Sequence, residues 1–137
     1  MGRTARGDDR GSMAVEVVVL IPVLLLVALL VVAAGRYVSA EGEAEAIARD
    51  AVRAATLERD GASALAAARA TAAAGTPASL TCDPVDLGGT FAAGEVVRVD
   101  VACTVSWSDL GVLGLPGTVE VEASSAAPLD RYRRTGA

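Results

Sequence analysis

The sequence predicts an α+β chain: a long N-terminal membrane-spanning helix that continues outside the membrane, a short second helix, and a small antiparallel β-sheet. Three observations predict it. Nineteen uncharged residues run from Val17 to Gly35. Alanine recurs at helical spacing after them. Two late segments alternate apolar and polar residues. The expected segments are a leader over 1–11, a transmembrane helix over 12–35, an extracytoplasmic helical region over 36–77, a β-rich head over 78–126 and a flexible tail over 127–137.

The uncharged run, VVVLIPVLLLVALLVVAAG, makes a helix of roughly 28 Å, close to the ~30 Å hydrocarbon core of a bilayer. It is apolar all round, whereas a helix at the surface of a soluble core carries a polar face. Two readings stand: a retained anchor, or a cleaved secretory signal whose end is the small-residue stretch Val31-Val32-Ala33-Ala34-Gly35. Signal peptides have apolar regions of about 7–15 residues, so the length favours the anchor. Pro22 lies six residues into the run. It removes one backbone donor, a loss that membrane helices tolerate. Arg3, Arg6 and Arg10 precede the span and Arg36, Arg49 and Arg53 follow it. With equal counts, only the amino terminus tips the positive-inside rule toward a cytoplasmic N-terminus.

Past the span, Ala40, Ala44, Ile47, Ala48, Ala51, Ala54 and Ala55 continue a helical period. Glu45 with Arg49 and Asp50 with Arg53 stand at the i,i+4 and i,i+3 spacings of helical ion pairs. One helix is expected from about Ser12 to Arg59, some 70 Å long, with bends at Pro22 and at Gly35 or Gly42. Asp60-Gly61 breaks it. Ala62–Ala74 is expected as a second helix, ended by Gly75 and Pro77. Ala78–Cys82 reads as a short strand and Asp83–Gly94 as a loop. Val96–Trp107 is a half-buried strand, with Val97, Val99, Val101, Cys103, Val105 and Trp107 on its inner face. Thr118–Ala123 repeats the alternation, and a loop over Asp109–Gly117 joins the two. The chain from Ser124 reads as a loose polar tail.

Composition narrows the function. Hydrophobic residues make up 53% and aromatics 3%, and the mean hydropathy is +0.46, so the apolar content is small Ala and Val concentrated in one stretch. There is no His, Lys, Asn or Gln, and all twelve basic residues are Arg. Without His, the usual general base and the commonest metal ligand are missing. The net charge of −5 argues against nucleic-acid binding, which needs a basic face. No phosphate-binding Gly loop precedes a helix, and the alternating pair Glu120 and Glu122 reads as a solvated strand face. No enzyme, cofactor or metal ligand is expected.

Cys82 and Cys103 are the only cysteines. Two ligands without His do not make a metal site, and the spacing is not that of a C-x-x-C dithiol. An even pair beside a membrane span points to a disulfide outside the cytoplasm; two buried reduced thiols are the alternative. The bridge requires export of the head, in accord with a cytoplasmic N-terminus.

The segment Arg10-Gly11-Ser12-Met13-Ala14-Val15-Glu16 resembles the processing site of type IV prepilins and pilin-like proteins. In that group a membrane peptidase cuts after the Gly that ends a basic leader, and the fifth mature residue is usually Glu. The resemblance puts the cut between Gly11 and Ser12 and makes Glu16 the fifth residue, although many pilins carry an aromatic or large apolar residue where Ser12 stands. Glu16 also has a physical reading: a carboxylate at the head of an apolar span is costly unless paired or wet. The resemblance implies that it pairs with the new amino terminus of a neighbouring subunit; a Glu with its head group in water is the plain alternative. Over residues 11 to 59 the chain resembles the TadE-like family more narrowly, through Gly11, Ala14, Val15, Glu16, Pro22, Ala48, Arg49, Asp50, Ala51, Arg53 and Ala54. That resemblance implies a pilin-like architecture and a minor pilin or pseudopilin that assists assembly of a tight-adherence pilus or a related secretion machine. Its partners would be the membrane, a prepilin peptidase and other pilin-like subunits.

An uncleaved, signal-anchored binding module is the competing reading, and it leaves the Gly11–Glu16 pair unexplained. Arg49, Asp50 and Arg53 read as a solvated face before they read as subunit contacts. Trp107 reads as core, and Arg131, Arg133 and Arg134 as a solvated basic tail.

Overall fold

The computed structural model describes residues 9–106, Ser108 and residues 116–132, with the backbone alone for 9–14. Helix α1 runs from Asp9 to Leu57, 49 residues or about 73 Å. It passes unbroken through Pro22, Gly35 and Gly42. It starts three residues earlier than expected and stops two residues before Arg59. Beyond Leu57 the chain tightens, with the Glu58 amide donating to the Ala55 carbonyl at 3.2 Å.

Helix α2, Gly61–Gly75, starts at Asp60, whose backbone is extended (φ −135°, ψ 160°) and whose carboxylate accepts from the Ser63 amide at 2.8 Å. This is an N-cap: the side chain satisfies one of the amides that a helix start leaves without a partner. At the other end the Thr76 hydroxyl donates to the Ala72 carbonyl at 2.8 Å. Pro77, which cannot continue a helix, follows.

Four antiparallel strands follow: β1 (Thr81–Cys82), β2 (Asp86–Gly88), β3 (Val96–Ser106) and β4 (Thr118–Pro128). Central strand β3 pairs with β4 along its whole length, from Val96↔Pro128 to Ser106↔Thr118. Its remaining pairings go to β1 (Cys82↔Cys103) and to β2 (Leu87↔Val99). The turn from β2 to β3 depends on Gly89, whose φ of +91° is left-handed and where a Cβ would stand 2.5 Å from the Val96 carbonyl oxygen; glycine alone meets both conditions.

Three sequence expectations are corrected. The segment Ala78–Cys82 is a strand only at Thr81–Cys82, because the Leu80 amide turns back to the Pro77 carbonyl at 3.0 Å. The expected loop Asp83–Gly94 contains β2. The expected loose tail from Ser124 is strand as far as Pro128, because Val96–Asp100 of β3 need backbone partners and Ser124–Pro128 supply them.

The core lies between the C-terminal part of α1, α2 and one face of the sheet. From α1 it takes Ala40, Ala44, Ile47, Ala48, Ala51, Val52 and Ala55. These positions recur at the 3–4 residue step of one helix face. From α2 it takes Ala64, Ala68 and Ala72, at four-residue steps. From β3 come Val97, Val99, Val101, Cys103 and Val105, the alternation expected of one strand face. Alanine at so many inner positions lets the helices approach closely. Trp107 and most of the Asp109–Gly117 loop lie outside the described residues.

Candidate functional site

The features that point to function lie along α1 and divide at Ala40. Upstream, every large hydrophobic side chain from Val15 to Val32 is exposed. Among the described residues no part of the head covers this stretch, and α1 is the one helix long and apolar enough to cross a membrane. Such a surface is stable only in lipid or against other apolar helices. Downstream, the same helix holds the head by its Ala face.

Gly11 and Ser12 lie within the first turn of α1; the side chains of Ser12 and Met13 fall outside the description. Glu16 is exposed one turn further on, flanked by exposed Val15, Val17 and Val18. Its described neighbours Val15, Val17 and Val18 are apolar and offer no partner. A carboxylate beside such a surface must stay at the water boundary or meet a cation.

The head is closed by a disulfide between Cys82 and Cys103, residues directly opposite each other on β1 and β3. Their sequence separation of 21 sets the stabilisation at about 3 kcal/mol in the chain-entropy account. A second tie went unnoticed in the sequence. The Arg69 guanidinium donates to the Val85 carbonyl at 3.0 Å and to the Asp86 carboxylate at 2.6 Å, fastening α2 to β2. An Arg in an Ala-rich helix gives no sign of its partner when that partner lies 17 residues away.

Of the two ion pairs expected on α1, Glu45–Arg49 is formed, at 3.8 Å with both side chains exposed. The Asp50–Arg53 pair is not among the ion pairs of the described residues. Glu120 and Glu122 stand on the exposed face of β4, as their alternation implies. Across that outer face Asp83, Asp86, Asp100 and Glu122 line a shallow acidic groove. Among the described residues no three His, Cys, Asp or Glu side chains are placed to hold a metal ion. Arg131 is exposed; Arg133 and Arg134 lie outside the described residues.

Comparison with known proteins gives one match. The family model described as TadE-like protein matches residues 11–53, the stretch that carries the Gly11–Glu16 motif, the apolar run and all of the Ala face of α1 but Ala55. No curated protein and no solved structure gives a significant match.

Proposed function

With residues 11–53 matching the TadE-like family, we propose that this chain is a pilin-like subunit, anchored by one span, that assists assembly of a tight-adherence pilus or a related secretion machine. The observation that carries the reading is the bare apolar half of α1, continuous with the head through a single 49-residue helix. An anchor alone needs only a span. A helix that is both span and structural core of the head makes head position and membrane position one variable, as a stacked subunit requires. The role is structural, not enzymatic.

The processing step belongs to the same proposal. A prepilin peptidase cuts between Gly11 and Ser12 at the cytoplasmic face, and the head lies outside, where its disulfide persists. The new amino group of Ser12 then serves as counter-charge for Glu16 of an adjacent subunit. In the low dielectric beside Val15, Val17 and Val18 that pair is stronger than it would be in water.

Intact mass and N-terminal sequencing of the membrane-extracted protein, with and without a co-expressed prepilin peptidase, test this. The expected mature start is Ser12, and only with the peptidase. A start near Met1 in both samples overturns processing and favours an uncleaved anchor carrying a binding module. A start just after Gly35 identifies a secretory signal and overturns the assembly reading altogether.

A further inference from the structure

Four charged residues of α1 follow one another at four-residue steps: Glu41, Glu45, Arg49 and Arg53. All four are exposed. They lie on the half of α1 whose other face is buried in the head, and they form one ridge of the kind that i,i+4 rows make on a helix. The lower half of the ridge is acidic and the upper half basic. Resting on the subunit reading above, we propose that this ridge docks a second copy of the chain, displaced along the helix axis by eight residues, or about 12 Å; the Ser12–Glu16 pair, whose register is four residues, then belongs to a different neighbour.

The argument is charge complementarity under a constraint of direction. Copies inserted through the same N-terminal span stand parallel. At equal height, Glu41 and Glu45 of one copy face the same residues of the next, and Arg49 and Arg53 do likewise, so like charges oppose. A shift of eight residues brings the two acids of one copy level with the two arginines of its neighbour. The contacts are short enough to escape salt screening, which acts beyond about 8 Å at physiological ionic strength. The 3.8 Å Glu45–Arg49 contact within one chain uses one acid and one base near the limit of ion pairing. The offset pairs Glu41 with Arg49 and Glu45 with Arg53 of the neighbour, so this long, exposed contact gives way when the ridge docks.

The surroundings of the ridge suit a helix as the occupant. Val38 below it is 64% exposed and Leu57 above it 73%. At Gly42 an added Cβ would meet nothing within 4 Å, so a neighbouring helix can approach there. The other charges on this part of α1 are exposed Arg36 and Asp50 and half-buried Glu43, which borders a groove with Ile47 and Pro77, and Glu58 and Arg59 follow its end.

The offset has a consequence for symmetry. Eight residues correspond to about 80° around the helix, so the acidic and basic ends of the ridge face different directions. The contact is therefore heterologous. A heterologous contact that also advances along its axis cannot close into a ring and continues as a helical array. The same ridge that disfavours a flat cluster at equal height in the membrane thus favours growth of a filament.

Crosslinking in cells that carry the peptidase and the pilus assembly machinery tests the offset. One tagged copy carries Val38→Cys and a differently tagged copy carries Ala46→Cys, and a short bis-maleimide links them. The expected result is a 38–46 crosslink that exceeds the 38–38 and 46–46 products. It is lost when every copy carries Arg49→Glu with Arg53→Glu, or Glu41→Arg with Glu45→Arg. Alkylation of free thiols verifies that the Cys82–Cys103 bridge is intact in each variant. Equal-height crosslinks alone, no crosslink, or a 38–46 product indifferent to the charge reversals overturns the proposal. N-terminal sequencing of the same samples separates the two levels. A chain starting at Ser12 with equal-height crosslinks keeps the subunit reading and removes the offset. An unprocessed chain with no crosslinks removes both.

Discussion

The two halves of α1 are one continuous helix in two different solvents. Upstream of Ala40, Leu, Val and Ile fill all sides and remain exposed, Leu26 at 66% for example. Downstream, the inner face is mostly alanine, with Ile47 and Val52 its larger members, and Ala44, Ala48, Ala51 and Ala55 are 0% exposed. Large side chains are thus spent where only lipid or a neighbour can cover them, and small ones where a helix must press against a sheet. Hydrophobicity alone does not report burial within a chain; the size of the side chain and the breadth of the apolar face do.

Placing a charge in the upper or lower half should separate the two solvents. Leu25→Arg puts a cation near the middle of the span, where insertion costs about 2.5–3.5 kcal/mol. We expect a large loss of carbonate-resistant membrane protein while the Cys82–Cys103 bridge still forms in whatever is exported. Unchanged membrane retention would mean that the stretch Val15–Val32 is covered by protein.

Removing the disulfide acts on the other half. Cys82→Ser with Cys103→Ser should lower head stability by about 3 kcal/mol. In detergent this should appear as a denaturant midpoint well below that of the oxidised wild type, with the span still helical by circular dichroism. Ala48→Leu is a gentler probe of the same half. It forces three extra carbons into the fully buried face of α1 and should cost about 1–3 kcal/mol. The equivalent enlargement Ala28→Leu, in the exposed stretch, should leave the midpoint unchanged. Equal effects at positions 48 and 28 would erase the distinction.

How much of this was legible follows from where local pattern and tertiary demand agree. The Ala face of α1 and the Val face of β3 were readable because each repeats one period several times. Strand β2 was not, because Asp86-Leu87-Gly88 is too short to show a period and sits among Gly and Pro; pairing with Arg98–Asp100 makes it a strand. The extension of β4 through Ser124-Ser125-Ala126-Ala127 was hidden for a related reason. Those residues have weak strand preference, and the backbone of β3 decides their conformation. At the candidate site, Gly11, Ser12 and Glu16 were legible as a motif. The proposed counter-charge for Glu16 belongs to another molecule, so a single chain supplies none of that geometry. The Arg69 tie to Asp86 left no local trace at all.

The smallest effect expected is at Asp60, and it carries a definite sign. The Ser63 hydroxyl donates to the carboxylate at 2.6 Å and the Ser63 amide at 2.8 Å. These bonds, the hydroxyl first, hold the Asp60 carboxyl below its ordinary value of 3.8, against a small opposing push from burial. A carboxyl whose folded pKa is depressed stabilises the fold above its unfolded pKa, and that contribution disappears as the pH falls through the folded value. Asp60→Asn keeps an acceptor for the Ser63 amide but removes the charge, whereas Asp60→Ala removes both. We therefore expect wild type to melt slightly above Asp60→Asn at pH 7, and the difference to shrink as the pH falls below the ordinary value of 3.8 and to vanish below the lower folded value. Asp60→Ala should stay below both at every pH, since an Asn or a protonated Asp still caps α2. Equal melting of wild type and Asp60→Asn at pH 7 would show that ionisation of Asp60 contributes nothing to the α1–α2 junction. The cap would then act only as a neutral acceptor, and the head half of α1 would owe its anchoring there to packing alone.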